Sequence, residues 1–120
     1  MTTLVDNVFS ICNLIAQLDK DKCKIVTLCG STKFKSSFEK TNLYLTLANK
    51  IVLQPGCFAH ADNIEITDDQ KIALDKLHFE KIDLSDCIMV INENNYIGSS
   101  TKNEIDYAKK TNKPIYYLFS

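Results

Sequence analysis

The chain has 120 residues, 45% hydrophobic and 24% charged, the composition and size of a single globular domain around one core. Fourteen basic against fifteen acidic side chains leave a net charge of −1, so no cationic surplus exists to track a nucleic-acid backbone and no polymeric nucleic acid is expected as a partner. No run of about 18 apolar residues is present to span a bilayer, so no membrane partner is expected either.

Val5, Phe9, Ile11, Cys12, Ile15, Ala16 and Leu18 recur at helical spacing, with Asp6, Asn13 and Gln17 on the opposite face. They predict an amphipathic helix that closes in the polar cluster Asp19-Lys20-Asp21-Lys22 and packs on the sheet or on a neighbouring subunit. Polar Asp6 and Asn7 among its apolar residues argue against a signal peptide. Cys23 to Cys29 reads as the first strand, apolar enough to be central in a parallel sheet. Gly30-Ser31-Thr32 turns into a second helix carrying Phe34, Phe38, Leu45 and Ala48, and Lys50 to Gln54 is the next strand, stopped by Pro55-Gly56.

From Cys57 to Thr67 periodicity is weak, which predicts a long loop around His60. Asp68 and Asp69 begin a helix through Ile72, Ala73, Leu77, Phe79 and Ile82, with negative charge suited to its first turn. Cys87 to Ile91 is a third strand, and a second hydroxyl-rich turn, Gly98-Ser99-Ser100-Thr101, opens a helix after it. Thr111 to Pro114 breaks that helix, and Ile115 to Leu118 is the last strand. Strands alternating with helices imply an α/β fold: a Rossmann-like or flavodoxin-like three-layer sandwich around a central parallel sheet of four to five strands, in one domain over residues 1–120.

Five cysteines, an odd number without a C-x-x-C pair, read as small hydrophobes of a reduced cytoplasmic protein rather than a disulfide framework or zinc site. Cys29, directly before the glycine turn, is the one placed to be exposed and reactive. No metal and no cofactor is expected.

Both hydroxyl-rich turns fall at carboxyl ends of strands, where open parallel sheets bind ligands. Gly30-Ser31-Thr32 lacks the spacing of a Walker or dinucleotide loop. It is either a glycine turn whose hydroxyl caps a helix, or a place where Gly30 lets backbone approach a phosphate while Ser31 and Thr32 add donors. Glu104 has two readings as well. Thr101-x-x-Glu104 matches a capping box, in which the carboxylate folds back on a backbone N–H. The same carboxylate, close to a phosphate site, could instead reach the anomeric carbon of a nucleotide's sugar, where a carboxylate is a competent nucleophile. His78 alone is most simply a satisfied histidine, Asp86 a strand-starting residue, and Tyr96 a ring able to meet a base or sugar.

Three stretches together resemble the nucleoside 2-deoxyribosyltransferase superfamily, which includes nucleoside 5′-monophosphate N-glycosidases. They are Leu28-Cys29-Gly30-Ser31-Thr32, then Ile82-Asp83-Leu84-Ser85-Asp86 before the third strand, and Ser100-Thr101-x-x-Glu104-Ile105-x-Tyr107-Ala108 with Lys113-Pro114-Ile115. The likeness spans roughly residues 24 to 118 and leaves the first helix outside it.

The resemblance implies that Glu104 is the nucleophile at C1′, and that Gly30, Ser31, Thr32, Gly98, Ser99 and Ser100 surround the sugar's 5′ end and its phosphate. Cys29, Phe34, His60 and Tyr96 are then the candidates for the base pocket. It also implies a small-molecule nucleotide as ligand, and a homodimer or higher homo-oligomer. Two positions depart from the family pattern. Asp106 stands where a glycine is common, and His78 stands where an aspartate assists the leaving base. A histidine could protonate a departing base near neutral pH, or the change could mark an altered reaction, and Asp83 is the nearest other acid. The expected function is therefore an N-glycosidase acting on a nucleoside or deoxynucleoside 5′-monophosphate. The alternatives are a 2-deoxyribosyltransferase, a non-catalytic nucleotide or ADP-ribose-like binding module, and a structural domain in which Glu104 only caps its helix.

Overall fold

The computed structural model describes residues 4–119, with side chains from Ile11 onward. Val5, Asp6, Asn7 and Phe9 of the first predicted helix thus lie outside the described side chains. The elements run α1 (Leu4–Lys20), β1 (Ile25–Gly30), a 3-10 turn (Thr32–Phe34), α2 (Lys35–Leu47), β2 (Ile51–Leu53) and α3 (Ala59–Asp62), then α4 (Asp68–Leu84), β3 (Cys87–Ile91), a second 3-10 turn (Glu93–Asn95), α5 (Ser99–Lys110) and β4 (Ile115–Tyr117). The four strands form one all-parallel sheet in the order β2-β1-β3-β4.

Side chains alternate across the two central strands, so each strand feeds two cores. Val26 and Leu28 of β1, with Cys87, Met89 and Ile91 of β3, pack against Ile11 and Leu18 of α1 and against Phe38 and Leu45 of α2. Cys29 of β1, with Ile88 and Val90 of β3, packs on the other face against Ile82 of α4 and Ile105 and Ala108 of α5. Helices on both faces explain why β3 is buried at all five positions and reads as an uninterrupted apolar run. The fold is an α/β Rossmann-like sandwich of three layers.

The amphipathic reading of α4 needs correcting. Ile72 and Leu77, assigned to its apolar pattern, are half or more exposed, while His78 and Ile82 are the buried positions. Its start is fixed by a capping box in which the Thr67 hydroxyl accepts from Gln70 N–H and the Gln70 side chain accepts from Thr67 N–H. With only three glycines in the chain, asparagine takes most of the left-handed backbone positions. Asn49, Asn63 and Asn112 follow α2, α3 and α5 in this way.

The chain leaves β1 towards β2 on one side, and β3 then joins β1 on the other. The two connections diverge at the carboxyl ends of β1 and β3, where Gly30 pairs with Ile91. A Cβ on Gly30 would lie 2.9 Å from the Ile91 carbonyl oxygen and 3.0 Å from its Cβ, so only glycine lets the strands close here. At the opposite edge Asp86 starts the last central strand and its carboxylate accepts from Lys24 N–H at 2.8 Å and Ile25 N–H at 2.9 Å. Those bonds hold its pKa below the ordinary range and tie β3 to β1.

Candidate functional site

A cavity of about 500 Å³ opens over the carboxyl ends of the strands. Gly30, Ser31 and Thr32 form part of its wall, Gly98, Ser99 and Ser100 another part, and Glu104 and His78 also face it. The two hydroxyl-rich turns, separate in sequence by nearly seventy residues, therefore border one space. Ser31 caps the 3-10 turn by accepting from Lys33 N–H at 3.3 Å, so capping and cavity lining coincide in one residue.

The helix α5 begins earlier than the capping-box reading of Glu104 requires. Gly98 is its N-cap and no side chain caps it, while Thr101 is already inside the first turn and buried. Thr101 cannot be an N-cap from there, so the capping-box reading of Glu104 fails on helix register. The first-turn N–H groups stay open towards the cavity wall, at the positive end of a 12-residue helix. Beside them Lys71 of α4 extends its ammonium to within 3.2 Å of Ser100 Oγ and 2.5 Å of Asp75 Oδ1. This lysine, with Asp75, escaped a sequence reading that followed apolar periodicity alone. The available signal was the spacing of Lys71, Asp75, His78 and Ile82, which places polar residues on the same face as a buried one.

Glu104 lies one turn further into α5 and is 9% exposed. Burial raises its pKa from 4.5 to about 7; the Cys29 thiol and Lys71 favour the charged form, and Asp75 opposes it. Its Oε1 is 3.8 Å from His78 Nε2, which is also 3.4 Å from Cys29 Sγ. Burial, with Lys81 adding positive charge nearby, lowers the His78 pKa to about 4, against smaller opposing effects of Asp75 and the Leu28 backbone. The imidazole is consequently neutral at neutral pH. Burial thus works against the protonated imidazole that could assist a departing base, the role its position in the resembled pattern suggests for His78.

Three further candidates are relocated. Cys29 is fully buried beneath the cavity, and burial together with the Glu104 charge raises its pKa, so it is neither exposed nor a reactive thiolate. Phe34 packs on the core and meets the Tyr96 ring edge-on at 5.9 Å, behind the cavity wall rather than on it. Asp83 is bonded to the Tyr107 hydroxyl at 2.6 Å and does not face the cavity. Tyr96 and His60 do line it. Tyr96 is held at the rim by Lys33, whose ammonium sits 3.6 Å over its ring. His60 belongs to α3, a single helical turn inside the segment read as a loop.

Cys29, His78 and Glu104 also have potential ligand atoms within 4.8 Å of one another, so this floor can hold a metal ion as well as a substrate atom. Among the described residues no helix is long and apolar enough to cross a membrane. Compared with models of protein families, with curated proteins and with solved structures, the chain matches none.

Proposed function

We propose that the protein is an N-glycosidase that cleaves the base–sugar bond of a nucleoside or deoxynucleoside 5′-monophosphate, a member of the kind its motifs resemble. The observation that carries this reading is that Glu104, buried and free of any capping role, faces the same cavity as both hydroxyl-rich turns. A phosphate fits between the open N–H groups of α5, the Ser99 and Ser100 hydroxyls and the Lys71 ammonium, a set combining dipole, donors and charge. With the 5′ end anchored there, the Glu104 carboxylate attacks C1′ as the base leaves. Water then adds its hydroxyl to C1′, freeing the sugar phosphate and the Glu104 carboxylate, and its proton balances the one the departed base takes from solvent.

A carboxyl group with a pKa near 7 is a weaker acid than free glutamic acid, hence a more basic nucleophile once ionised. Positive charge developing at C1′ favours the ionised form in the transition state, where burial makes the attraction strong. His78, neutral and 3.8 Å from Glu104, fixes the carboxylate's surroundings and acts as a positioning residue.

Incubation with each common nucleoside and deoxynucleoside 5′-monophosphate, followed by chromatography of free base, tests the reading. Base release by the wild type that Glu104→Gln abolishes supports it. No release from any of them overturns it. A second reading, a nucleotide-binding module without turnover, is favoured by the neutral His78 where an acid is expected. That reading predicts thermal stabilisation by nucleotide, with no base released by wild type or variant.

A further inference from the structure

We propose that Cys29 Sγ, His78 Nε2 and a Glu104 carboxylate oxygen form a zinc-type divalent-metal site, with its fourth coordination position open to the cavity. The site stands apart from the glycosidase reading, since it follows from the mutual placement of three side chains whatever the cavity binds.

The donor set is the first argument. Sulfur, imidazole nitrogen and carboxylate oxygen together suit Zn²⁺, and three protein ligands with one open position is the pattern of zinc sites that admit water or substrate. Spacing is the second. Zinc bonds of about 2.0–2.3 Å in a tetrahedron place ligand atoms about 3.3–3.8 Å apart. Here Sγ and Nε2 are 3.4 Å apart, and Nε2 and Oε1 are 3.8 Å apart. All three ligand atoms fall within 4.8 Å of one another. The same His78 nitrogen lies within 4 Å of both other donors. Each side chain comes from a different element: Cys29 from β1, His78 from α4 and Glu104 from α5. A metal here therefore joins the sheet to two helices.

Burial is the third argument. Cys29 is fully enclosed, and His78 and Glu104 are 6% and 9% exposed, so the three polar groups converge in a place where apolar residues would ordinarily pack. Entry is through the cavity, which His78 and Glu104 both line. Binding moves no electrons between atoms of different oxidation state. The thiol, and the carboxyl where it is protonated, release their protons to solvent, and sulfur, nitrogen and oxygen donate lone pairs to the metal. A metal so held engages the carboxylate that would attack C1′, so the metal-bound form does not release base.

Co²⁺ alone, added to protein stripped with chelator, tests the site optically. One equivalent per chain is expected to give near-ultraviolet thiolate-to-cobalt absorption and intense visible bands of tetrahedral Co²⁺, both displaced by Zn²⁺. Cys29→Ser should remove the thiolate band. Cys29→Ser and Glu104→Gln should each weaken binding by more than the roughly 10- to 100-fold that loss of an outer-shell partner costs. The double variant Cys12→Ser/Cys57→Ser should leave spectrum and affinity unchanged, because Cys12 is exposed and Cys57 half-buried, both outside the cluster. Weak, pale octahedral Co²⁺, a thiolate band that survives Cys29→Ser, or a band that follows Cys12 and Cys57 would overturn the proposal. No nucleotide is present, so a failed titration leaves the base-release reading standing, and a failed base-release assay leaves the metal site standing.

Discussion

Replacing Glu104 with glutamine is expected to stabilise the fold, by an amount that grows with pH. In the folded protein burial holds the carboxyl pKa at about 7 against an ordinary 4.5. Below the lower value the group is protonated in both states and its ionisation costs nothing. Between the two values only the unfolded chain ionises freely, so the wild type loses stability as pH rises, at about 1.4 kcal/mol per pH unit. Above about pH 7 the loss is complete, at ~3 kcal/mol, and the glutamine variant does not suffer it.

His78 works in the opposite direction. Its folded pKa of about 4 lies below the ordinary 6.5, so its stability is fully present above the higher value and is lost as pH falls towards the lower. In the wild type the two slopes nearly cancel between 4.5 and 6.5. Glu104→Gln leaves the His78 slope alone, so the variant's stability rises with pH across that window. Urea unfolding of chelator-treated wild type and variant at about pH 5, 6.5 and 8 measures both effects. A variant-minus-wild-type difference that stays constant with pH, or a wild type more stable than the variant at about pH 8, would refute the reasoning.

Three other outcomes follow from the same geometry. Base release by metal-free protein should rise with pH through about 7 as Glu104 ionises and then level, and a kcat/KM profile that falls across this range would contradict a carboxylate nucleophile. Lys71→Met should weaken binding of a nucleoside monophosphate by roughly tenfold or more, the worth of one charged hydrogen bond, while leaving the corresponding nucleoside unaffected in calorimetry. Gly30→Ala should destabilise the fold by about 1–3 kcal/mol in urea unfolding, because the new methyl meets Ile91 backbone that cannot move aside.

Regular elements with strong apolar runs were legible in the sequence. Residues 87–91 form β3 as expected, because a strand covered on both faces leaves no polar gap. The first strand begins at Ile25 rather than Cys23, since Lys22 adopts a left-handed conformation and Cys23 N–H still returns to Leu18 O at 2.9 Å. That exit is a tertiary detail with no compositional mark. Thr67-x-x-Gln70 and Thr101-x-x-Glu104 both match the capping-box pattern, and of the two only the first is one. The difference is where each helix starts, and Gly98 sets that three residues before the Thr101-based reading would. The meeting of the Gly30 and Gly98 turns on one cavity follows from β1 and β3 being neighbours, and alternation of strands and helices already suggested it. The neutral state of His78 was not legible, because it depends on how deeply α4 presses that side chain against β1 and α5.

Intact-mass spectrometry of the metal-free protein, quenched with acid during turnover of a nucleoside 5′-monophosphate that it cleaves, tests the central claim most directly. The account predicts a covalent adduct of the mass of one sugar phosphate, mapping to the peptide that contains Glu104 and absent from Glu104→Gln. Base release with no adduct on any peptide, or an adduct that maps elsewhere, would contradict it.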